Sequence, residues 1–191
     1  HKTAFIGQVA QDQLGDVFAH DIRATGIDFD VPARPGQPPT ARCLILVTPD
    51  AQRTMNTFLG AAQFLPETAI DKTKIEDAAW LYLEGYLWNA PESRAAMTGA
   101  IAIAKNAGRK VALTLSDAFV VEGHRDEFFA LMDDGSLDLL FANDTEVRAM
   151  MQTDDTEAAV AALAQRVPML VCTHGAAGAE AHRGSEHARV G

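Results

Sequence analysis

The chain has 191 residues, a mass of 20.5 kDa and a formal net charge of −10. Hydrophobic residues make up 48% and charged residues 22%, which excludes wholesale disorder and suits one domain, or one domain with an appendage. The acidic excess argues against a general binder of nucleic acid or anionic membranes, although a small phosphorylated ligand needs only a few local donors.

Targeting and redox signals are weak in this sequence. It contains no run of about 18 apolar residues, and its start, HKTAFIGQVAQD, lacks the basic and long apolar regions of a signal peptide. Cys43 and Cys172 lie far apart and share no metal-ligand spacing. We therefore interpret them as two buried thiols in a reducing cytoplasm, and expect no membrane partner.

The first third of the chain combines a strand–helix unit with an inserted hairpin. Thr3–Val9 predicts a strand, and Asp12 predicts the cap of a helix that ends near Gly26. Four prolines between positions 32 and 39 then exclude a helix. Cys43–Thr48 and Arg53–Leu59 flank a Pro-Asp turn, which predicts an antiparallel hairpin that forms a small β appendage.

An alternating pattern of strands and helices follows residue 66. The predicted strands are Ala79–Leu83, Lys110–Leu115, Leu137–Ala142 and Met169–Thr173. The predicted helices are Pro91–Asn106, His124–Met132, Thr145–Met151 and Thr156–Arg166. Near-continuous apolar strands that alternate with helices indicate a parallel sheet covered on both faces.

Ligands of open parallel sheets bind beyond the carboxyl ends of the strands, so polar residues there are the first site candidates. Asn143 follows the strand LDLLFA, and Glu146 lies on the first turn of the next helix. The simple interpretation is a capping box. The functional one is that Asn143 donates to a phosphate while Glu146 orients a hydrated Mg²⁺, and both can hold together.

Two further strand ends carry candidates. The loop that begins at Thr173 contains Gly175 and Gly178, which allow backbone N–H groups to approach a ligand, but a plain turn fits equally well. The loop is neither a Walker loop nor a GxGxxG fingerprint. Glu84 ends the strand in AWLYLEGYLW, where it either caps a turn or accepts hydrogen bonds from ligand hydroxyls.

Other polar residues give weaker signals. The histidines stand at positions 1, 20, 124, 174, 182 and 187 and form no HxH or HExxH pattern, so zinc is not expected. His182 and His187 are predicted to be solvated in a polar tail. Ser116-Asp117 favours an N-cap over a ligand contact.

Together these segments resemble the ribokinase/PfkB family of carbohydrate and nucleoside kinases, most of all its bacterial adenosine-kinase-like members. The resemblance covers essentially the whole chain and depends on TPDAQRTMNTFLGA, LEGYLW, LFANDTEV and VCTHGAAGA. It implies a three-layer αβα core (residues 1–27 and 62–191) with a small β-sheet lid (28–61). It also implies transfer of the γ-phosphoryl group of ATP to a primary hydroxyl of a nucleoside or sugar, with Mg²⁺.

The resemblance also assigns roles to residues. Asn143 would contact phosphate, Glu146 would hold Mg²⁺ through water, and Glu84 would face the sugar under the 41–60 hairpin. The nucleotide site would be lined by Thr173, Gly175 and Gly178. Positioning and charge neutralisation of this kind carry most of phosphoryl transfer. The exposed edge of the lid would also allow a homodimer.

The sequence departs from this family in two motifs. An upstream Gly-Gly motif and a downstream Asp-Thr-x-Gly-Ala-Gly-Asp motif, which supplies the catalytic base, find no counterpart here. No catalytic residue is therefore assigned, and the chain is expected to be a truncated portion of a kinase. The alternative is a non-catalytic nucleoside- or sugar-binding regulatory protein on the same fold. A nicotinamide-dependent enzyme is disfavoured because the glycine fingerprint is absent.

Overall fold

The computed structural model describes residues 2–191, and the chain divides between Ile70 and Asp71 into two units. The first unit contains α1 (Gln13–Ala24), β1 (Arg42–Val47) and β2 (Arg53–Phe58). The second contains α2 (Lys72–Asp77), β3 (Trp80–Glu84), α3 (Pro91–Asn106), β4 (Lys110–Thr114), α4 (Ala118–Asp133), β5 (Leu139–Asn143), α5 (Asp144–Met151), α6 (Thr156–Leu163), β6 (Leu170–Thr173), β7 (Ala179–Arg183) and β8 (Glu186–Val190). Within residues 2–191, no helix is long and apolar enough to span a bilayer.

The helix predicted after Asp12 is confirmed as α1. The Asp12 carboxylate accepts a hydrogen bond from the Gly15 backbone N–H at 2.8 Å, so Asp12 is its N-cap. The same carboxylate also accepts from the backbone N–H of Thr40 at 2.9 Å. Asp12 therefore ties the start of α1 to the segment that leads into β1.

The prediction of a strand at Thr3–Val9 is wrong, because this segment makes one isolated parallel bridge, at Ala4, and the next bridge lies just beyond it at Ala10. The partner segment contains Pro32, which has no N–H to donate to a ladder. The Gln8 side chain donates instead to the Pro32 carbonyl at 2.9 Å. A small apolar core around Val9, Phe29 and Val31 holds the two segments together.

The predicted hairpin is confirmed as β1 and β2, which pair antiparallel from Arg42 opposite Phe58 to Val47 opposite Arg53. Every residue of both strands is exposed. The prediction that both thiols are buried is therefore wrong for Cys43, which lies exposed on β1, and holds for Cys172.

The second unit is built on a six-stranded sheet in the order β3–β4–β5–β6–β7–β8. The first four strands run parallel, as predicted, and β7 and β8 continue the sheet antiparallel. The core of this unit comes from strands and helices alike: Met97, Ile101, Val111, Leu113, Val121, Phe128, Leu140, Val147, Met150, Leu163, Leu170 and Cys172.

Two elements of this unit differ from the predictions. The polar tail forms the β7–β8 hairpin, in which Ala179 and Ala181 lie opposite Val190 and Ala188. Alanine favours strands only weakly, so this alternation did not predict a strand. Helix α4 begins at Ala118, six residues before the predicted start, because the Asp117 side chain caps it by accepting from the Phe119 N–H at 2.9 Å. The backbone of His124 is non-helical and kinks α4 at the position where the predicted helix began.

Candidate functional site

Four neighbouring parallel strands bring the candidate residues into a row at one edge of the sheet. Glu84 ends β3 opposite Thr114 of β4, and Asn143 ends β5 opposite Thr173 of β6. Asp117 lies just past the end of β4. The predicted strand-end residues therefore share the edge at which ligands of open parallel sheets bind.

At the centre of this row, Asn143 and Glu146 form a complete capping box at the start of α5. The Asn143 side-chain oxygen accepts from the Glu146 backbone N–H at 3.0 Å. In return, the backbone N–H and side-chain amide of Asn143 donate to the two Glu146 carboxylate oxygens at 3.0 and 2.6 Å. The capping interpretation is thus confirmed, and it leaves the phosphate and Mg²⁺ roles as predictions.

Glu146 is a buried carboxylate, with 3% of its surface exposed. Burial raises its pKa, the hydrogen bond from the Asn143 backbone N–H opposes this, and the charge of Asp117 raises the pKa further. The carboxylates of Asp117 and Glu146 thus repel each other near the ends of adjacent strands. A hydrated divalent cation is the counter-charge that such oxygen ligands prefer.

A third carboxylate, Glu84, and a tyrosine complete this acidic group. The Ser116 hydroxyl donates to a Glu84 oxygen at 3.2 Å. Burial raises the pKa of Tyr86, and the charges of Asp117, Glu146 and Glu84 add to that effect. We call Glu84, Asp117 and Glu146, with Tyr86 beside them, the acidic cluster.

A glycine makes this arrangement possible. A Cβ at Gly85 would lie 2.5 Å from the Leu115 carbonyl oxygen, so only glycine lets the turn after β3 lie this close to the end of β4. Sequence reasoning missed Tyr86 and favoured a capping role for Asp117 over a ligand contact. The signal for Tyr86 was its place directly after the strand end Glu84-Gly85.

The loop after β6 uses much of its own hydrogen-bonding capacity. The backbone N–H of His174 donates to the Gly178 carbonyl oxygen at 2.8 Å, and the backbone N–H of Gly178 donates to the Gly175 carbonyl oxygen at 3.3 Å. Gly175 and Gly178 both have positive φ, of 56° and 94°. Loop closure thus accounts for these two glycines, and their nucleotide-binding role, with that of Thr173, stays a prediction.

A histidine between two acids lies beside this loop. His174 Nδ1 is 2.5 Å from Asp144 Oδ1, and His174 Nε2 is 2.9 Å from Glu180 Oε1. Asp144, Cys172 and His174 present ligand-type atoms within 4.8 Å of one another. Burial raises the pKa of Cys172 to about 12, which keeps the thiol protonated at neutral pH.

A family model for pfkB family carbohydrate kinases matches residues 1–190. The chain belongs to the pfkB family. The six-stranded mixed sheet, the small two-stranded sheet and the surrounding helices are the ribokinase-like α/β fold of this family, which confirms the predicted fold class. No curated protein sequence matches the chain significantly.

Solved structures support the family assignment. The adenosine kinase from Sinorhizobium meliloti is 42% identical, with a TM-score of 0.95 over 100% of this chain and 58% of that protein. A probable sugar kinase from Rhizobium etli CFN 42 is 41% identical, also with a TM-score of 0.95, over 99% of this chain and 57% of that protein. The pfkB-family chain thus spans less than two thirds of the length of these relatives.

A more distant structure shares the fold. A putative ribokinase II from E. coli, solved in complex with ATP and Mg²⁺, is 18% identical, with a TM-score of 0.85 over 99% of the pfkB-family chain.

Proposed function

We propose that this pfkB-family chain supplies the ATP- and Mg²⁺-binding part of a kinase that phosphorylates a primary hydroxyl of a nucleoside or sugar. The observation that carries the proposal is the buried capping box of Asn143 and Glu146 inside the acidic cluster. A helix N-terminus attracts phosphate, whereas a carboxylate beside it repels phosphate. A bridging Mg²⁺ reconciles the two because it binds carboxylate, water and phosphate oxygens together.

Each predicted residue has a part in this proposal. Asn143 contacts a phosphate at the start of α5, and Glu146 holds Mg²⁺ through water. Thr173, Gly175 and Gly178 line the nucleotide site. Glu84, at the other end of the row, accepts hydrogen bonds from the hydroxyls of the acceptor, and the Ser116 contact orients its carboxylate. Charge neutralisation and positioning are the main sources of rate in such transfers.

Adenosine is the favoured acceptor. The support is the relative named adenosine kinase, which is 42% identical over the whole chain. A probable sugar kinase is 41% identical, so a sugar remains the competing acceptor. The two classes differ in the base, which a sugar lacks.

The alternative function is a non-catalytic nucleoside- or sugar-binding regulatory protein. The observation that supports it is the position of Glu84 at the end of β3, where its carboxylate can accept hydrogen bonds from ligand hydroxyls. Such a protein needs Glu84 and the residues around it, but it does not need to activate a hydroxyl.

Steady-state ADP formation by the complete gene product that contains these residues separates the two functions. The panel is adenosine, other nucleosides, ribose and fructose, each with ATP and Mg²⁺. The kinase proposal expects ADP with adenosine above the rate without acceptor. Tight calorimetric binding of one acceptor without turnover would instead establish the regulatory protein, and neither binding nor turnover would remove both.

The remaining proposals concern assembly and compartment. We place the protein in the cytoplasm, because an exposed free thiol such as Cys43 persists in a reducing compartment. Homodimers would form through the exposed β1–β2 hairpin, whose apolar residues include Leu44 and Leu46. Sedimentation that shows a monomer at high concentration would remove the dimer.

A further inference from the structure

The β7–β8 hairpin gathers two histidines and a glutamate on one face. His182 and His187 are directly opposite each other across the two strands. Glu180 precedes His182 by two residues and so points to the same side of β7. The two imidazole rings stack with centroids 4.5 Å apart and planes 25° apart. The hairpin thus fixes both rings relative to one carboxylate.

Both imidazoles aim the same ring nitrogen at the same oxygen. His182 Nε2 and His187 Nε2 lie 3.0 and 2.9 Å from Glu180 Oε2. The three ligand-type atoms lie within 4.8 Å of one another. In a tetrahedral zinc site, bonds of about 2.0–2.1 Å place neighbouring ligand atoms about 3.3 Å apart. The two Nε2–Oε2 distances would lengthen by a few tenths of an ångström on binding an ion, and the two nitrogens, within 4.8 Å of each other, would adopt the same spacing.

The second oxygen of the Glu180 carboxylate has a partner of its own. The other Glu180 oxygen contacts His174 Nε2 at 2.9 Å, and His174 Nδ1 lies 2.5 Å from Asp144. The side chains of His174 and Glu180 are only 10% and 13% exposed. Metal sites use such outer partners to orient their ligands.

We propose that Glu180, His182 and His187 form a site for a divalent transition-metal ion of the zinc class. Two imidazole nitrogens select Zn²⁺, Co²⁺, Ni²⁺ or Cu²⁺ over Mg²⁺, which prefers oxygen ligands. Three protein ligands leave a fourth position for water, and the half-exposed His187 side chain gives the ion access from solvent. This site is separate from Glu146, and the proposal does not depend on whether Glu146 holds Mg²⁺.

The consequence of binding is a cross-link between β7 and β8. The ion would bind the folded hairpin more tightly than the unfolded chain, so the thermal midpoint would rise with the logarithm of the free ion concentration once this exceeds the Kd. The cross-link also reaches α5 through Glu180, His174 and Asp144, the first residue of that helix.

The test is titration of the chelator-treated 191-residue chain with Zn²⁺ by calorimetry and with Co²⁺ by visible absorption. We expect one equivalent to bind, and excess Mg²⁺ to leave it in place. His182→Ala and the milder His187→Gln should weaken binding at least tenfold with unchanged circular dichroism. His20→Ala, which removes an exposed histidine paired with Asp21, is the matched control and should bind as the parent does.

Two further variants keep the proposal falsifiable. His174→Ala should weaken the ion by about 10–100-fold, as loss of an orienting partner does elsewhere. Cys172→Ser should leave metal binding unchanged. If the Co²⁺ complex of the parent chain instead shows sulfur-to-cobalt charge-transfer absorption that this variant abolishes, the ion binds at Asp144, Cys172 and His174. That result would overturn the proposal. Binding that survives in His187→Gln, or no binding by the parent chain, would also overturn it.

Discussion

Asn143 and Glu146 hydrogen-bond to each other in both directions across the first turn of α5. The Asn143 oxygen accepts from Glu146, and two Asn143 donors reach the Glu146 carboxylate. The pair therefore starts the helix and fixes a buried charge at the same time. Stability and ligand binding at this position can be separated because different substitutions remove different halves of the pair.

Asn143→Ala removes the cap and one donor to a buried carboxylate. We expect the free energy of unfolding to fall by about 2 kcal/mol or more, since a lost cap costs about 1 kcal/mol and an unsatisfied charged group adds to it. Urea denaturation measures the change. Asp155→Ala is the matched control, because Asp155 caps the equally long α6 by accepting from Ala158 at 3.0 Å. Equal losses in the two variants would contradict the added cost at Glu146.

Glu146→Gln keeps the shape of the capping box but removes its charge. Glutamine also serves at this position of a capping box, but its amide nitrogen cannot accept the hydrogen bond that one Asn143 donor makes to the carboxylate, so we expect the free energy of unfolding to fall by about 1 kcal/mol or more. The Mg²⁺ dependence of ATP binding, followed by calorimetry, should weaken. Glu157→Gln, in the first turn of α6, is the control. An unchanged Mg²⁺ titration in Glu146→Gln would leave Glu146 with a capping role alone.

Gly178→Ala and Gly175→Ala should differ sharply in stability. Both glycines have positive φ, which costs an alanine about 1–2 kcal/mol. A Cβ at Gly178 would also lie 1.9 Å from the Val190 carbonyl oxygen, whereas one at Gly175 meets nothing within 4 Å. We expect Gly178→Ala to detach β8 and to lose more stability in urea than Gly175→Ala. Equal losses of stability in the two variants would contradict a clash between the new Cβ at position 178 and the Val190 carbonyl oxygen.

Glu127 should make stability depend on pH. Burial raises its pKa, but hydrogen bonds from His124 and Trp88 and the charge of Arg94 outweigh burial and hold the pKa below its ordinary value. Because the folded state then holds its proton less tightly than the unfolded state, this stabilisation is present above about pH 5 and is lost as the pH falls through the folded pKa. The effect is modest, since Glu127 is 45% exposed to screening solvent.

Glu127→Gln tests this dependence. The difference in unfolding free energy between parent and variant should be largest near neutral pH and should shrink below about pH 4. Glu122→Gln, at an exposed glutamate of the same helix, is the control. Its difference from the parent in unfolding free energy should stay constant with pH. A parent–variant difference at Glu127 that does not vary with pH would contradict the proposed cause.

The two thiols should react at very different rates with iodoacetamide. Cys43 is exposed, whereas Cys172 is fully buried with a pKa raised to about 12, so about one part in 10⁵ of it is thiolate at neutral pH. Mass spectrometry should find one label on the folded chain and two after unfolding. In Cys43→Ser, rapid labelling of the folded chain would contradict the burial of Cys172.

Local chemistry in the sequence predicted much of the fold. Pro91 and the Gly after the helix marked the bounds of α3, and Asn143 with Glu146 marked the start of α5. The β7–β8 hairpin was missed because the apolar residues that alternate along its strands are mostly alanines, which favour strands only weakly, although the Gly184-Ser185 turn was a hairpin signal. The strand at Thr3–Val9 failed because a proline in its partner segment breaks the ladder.

The sequence predicted which residues lie at the site, but it did not predict the contacts between them. Strand ends identified Glu84, Asn143 and Glu146, because parallel strands share one carboxyl edge. The influence of Asp117 on Glu146 depends on pairing between strands that are distant in sequence, which residue spacing does not contain. The convergence of His182 and His187 on Glu180 is local to the β7–β8 hairpin, and it was missed because that hairpin was not predicted.

The fully exposed β1–β2 hairpin has a consequence for amide hydrogen exchange. Two strands without a covered face are marginally stable in water. Opening the ladder between Arg42 and Val47 should therefore require far less free energy than global unfolding. Its amides should exchange with deuterium long before those of the buried strand β4, so the hairpin opens and closes many times during the lifetime of one folded molecule.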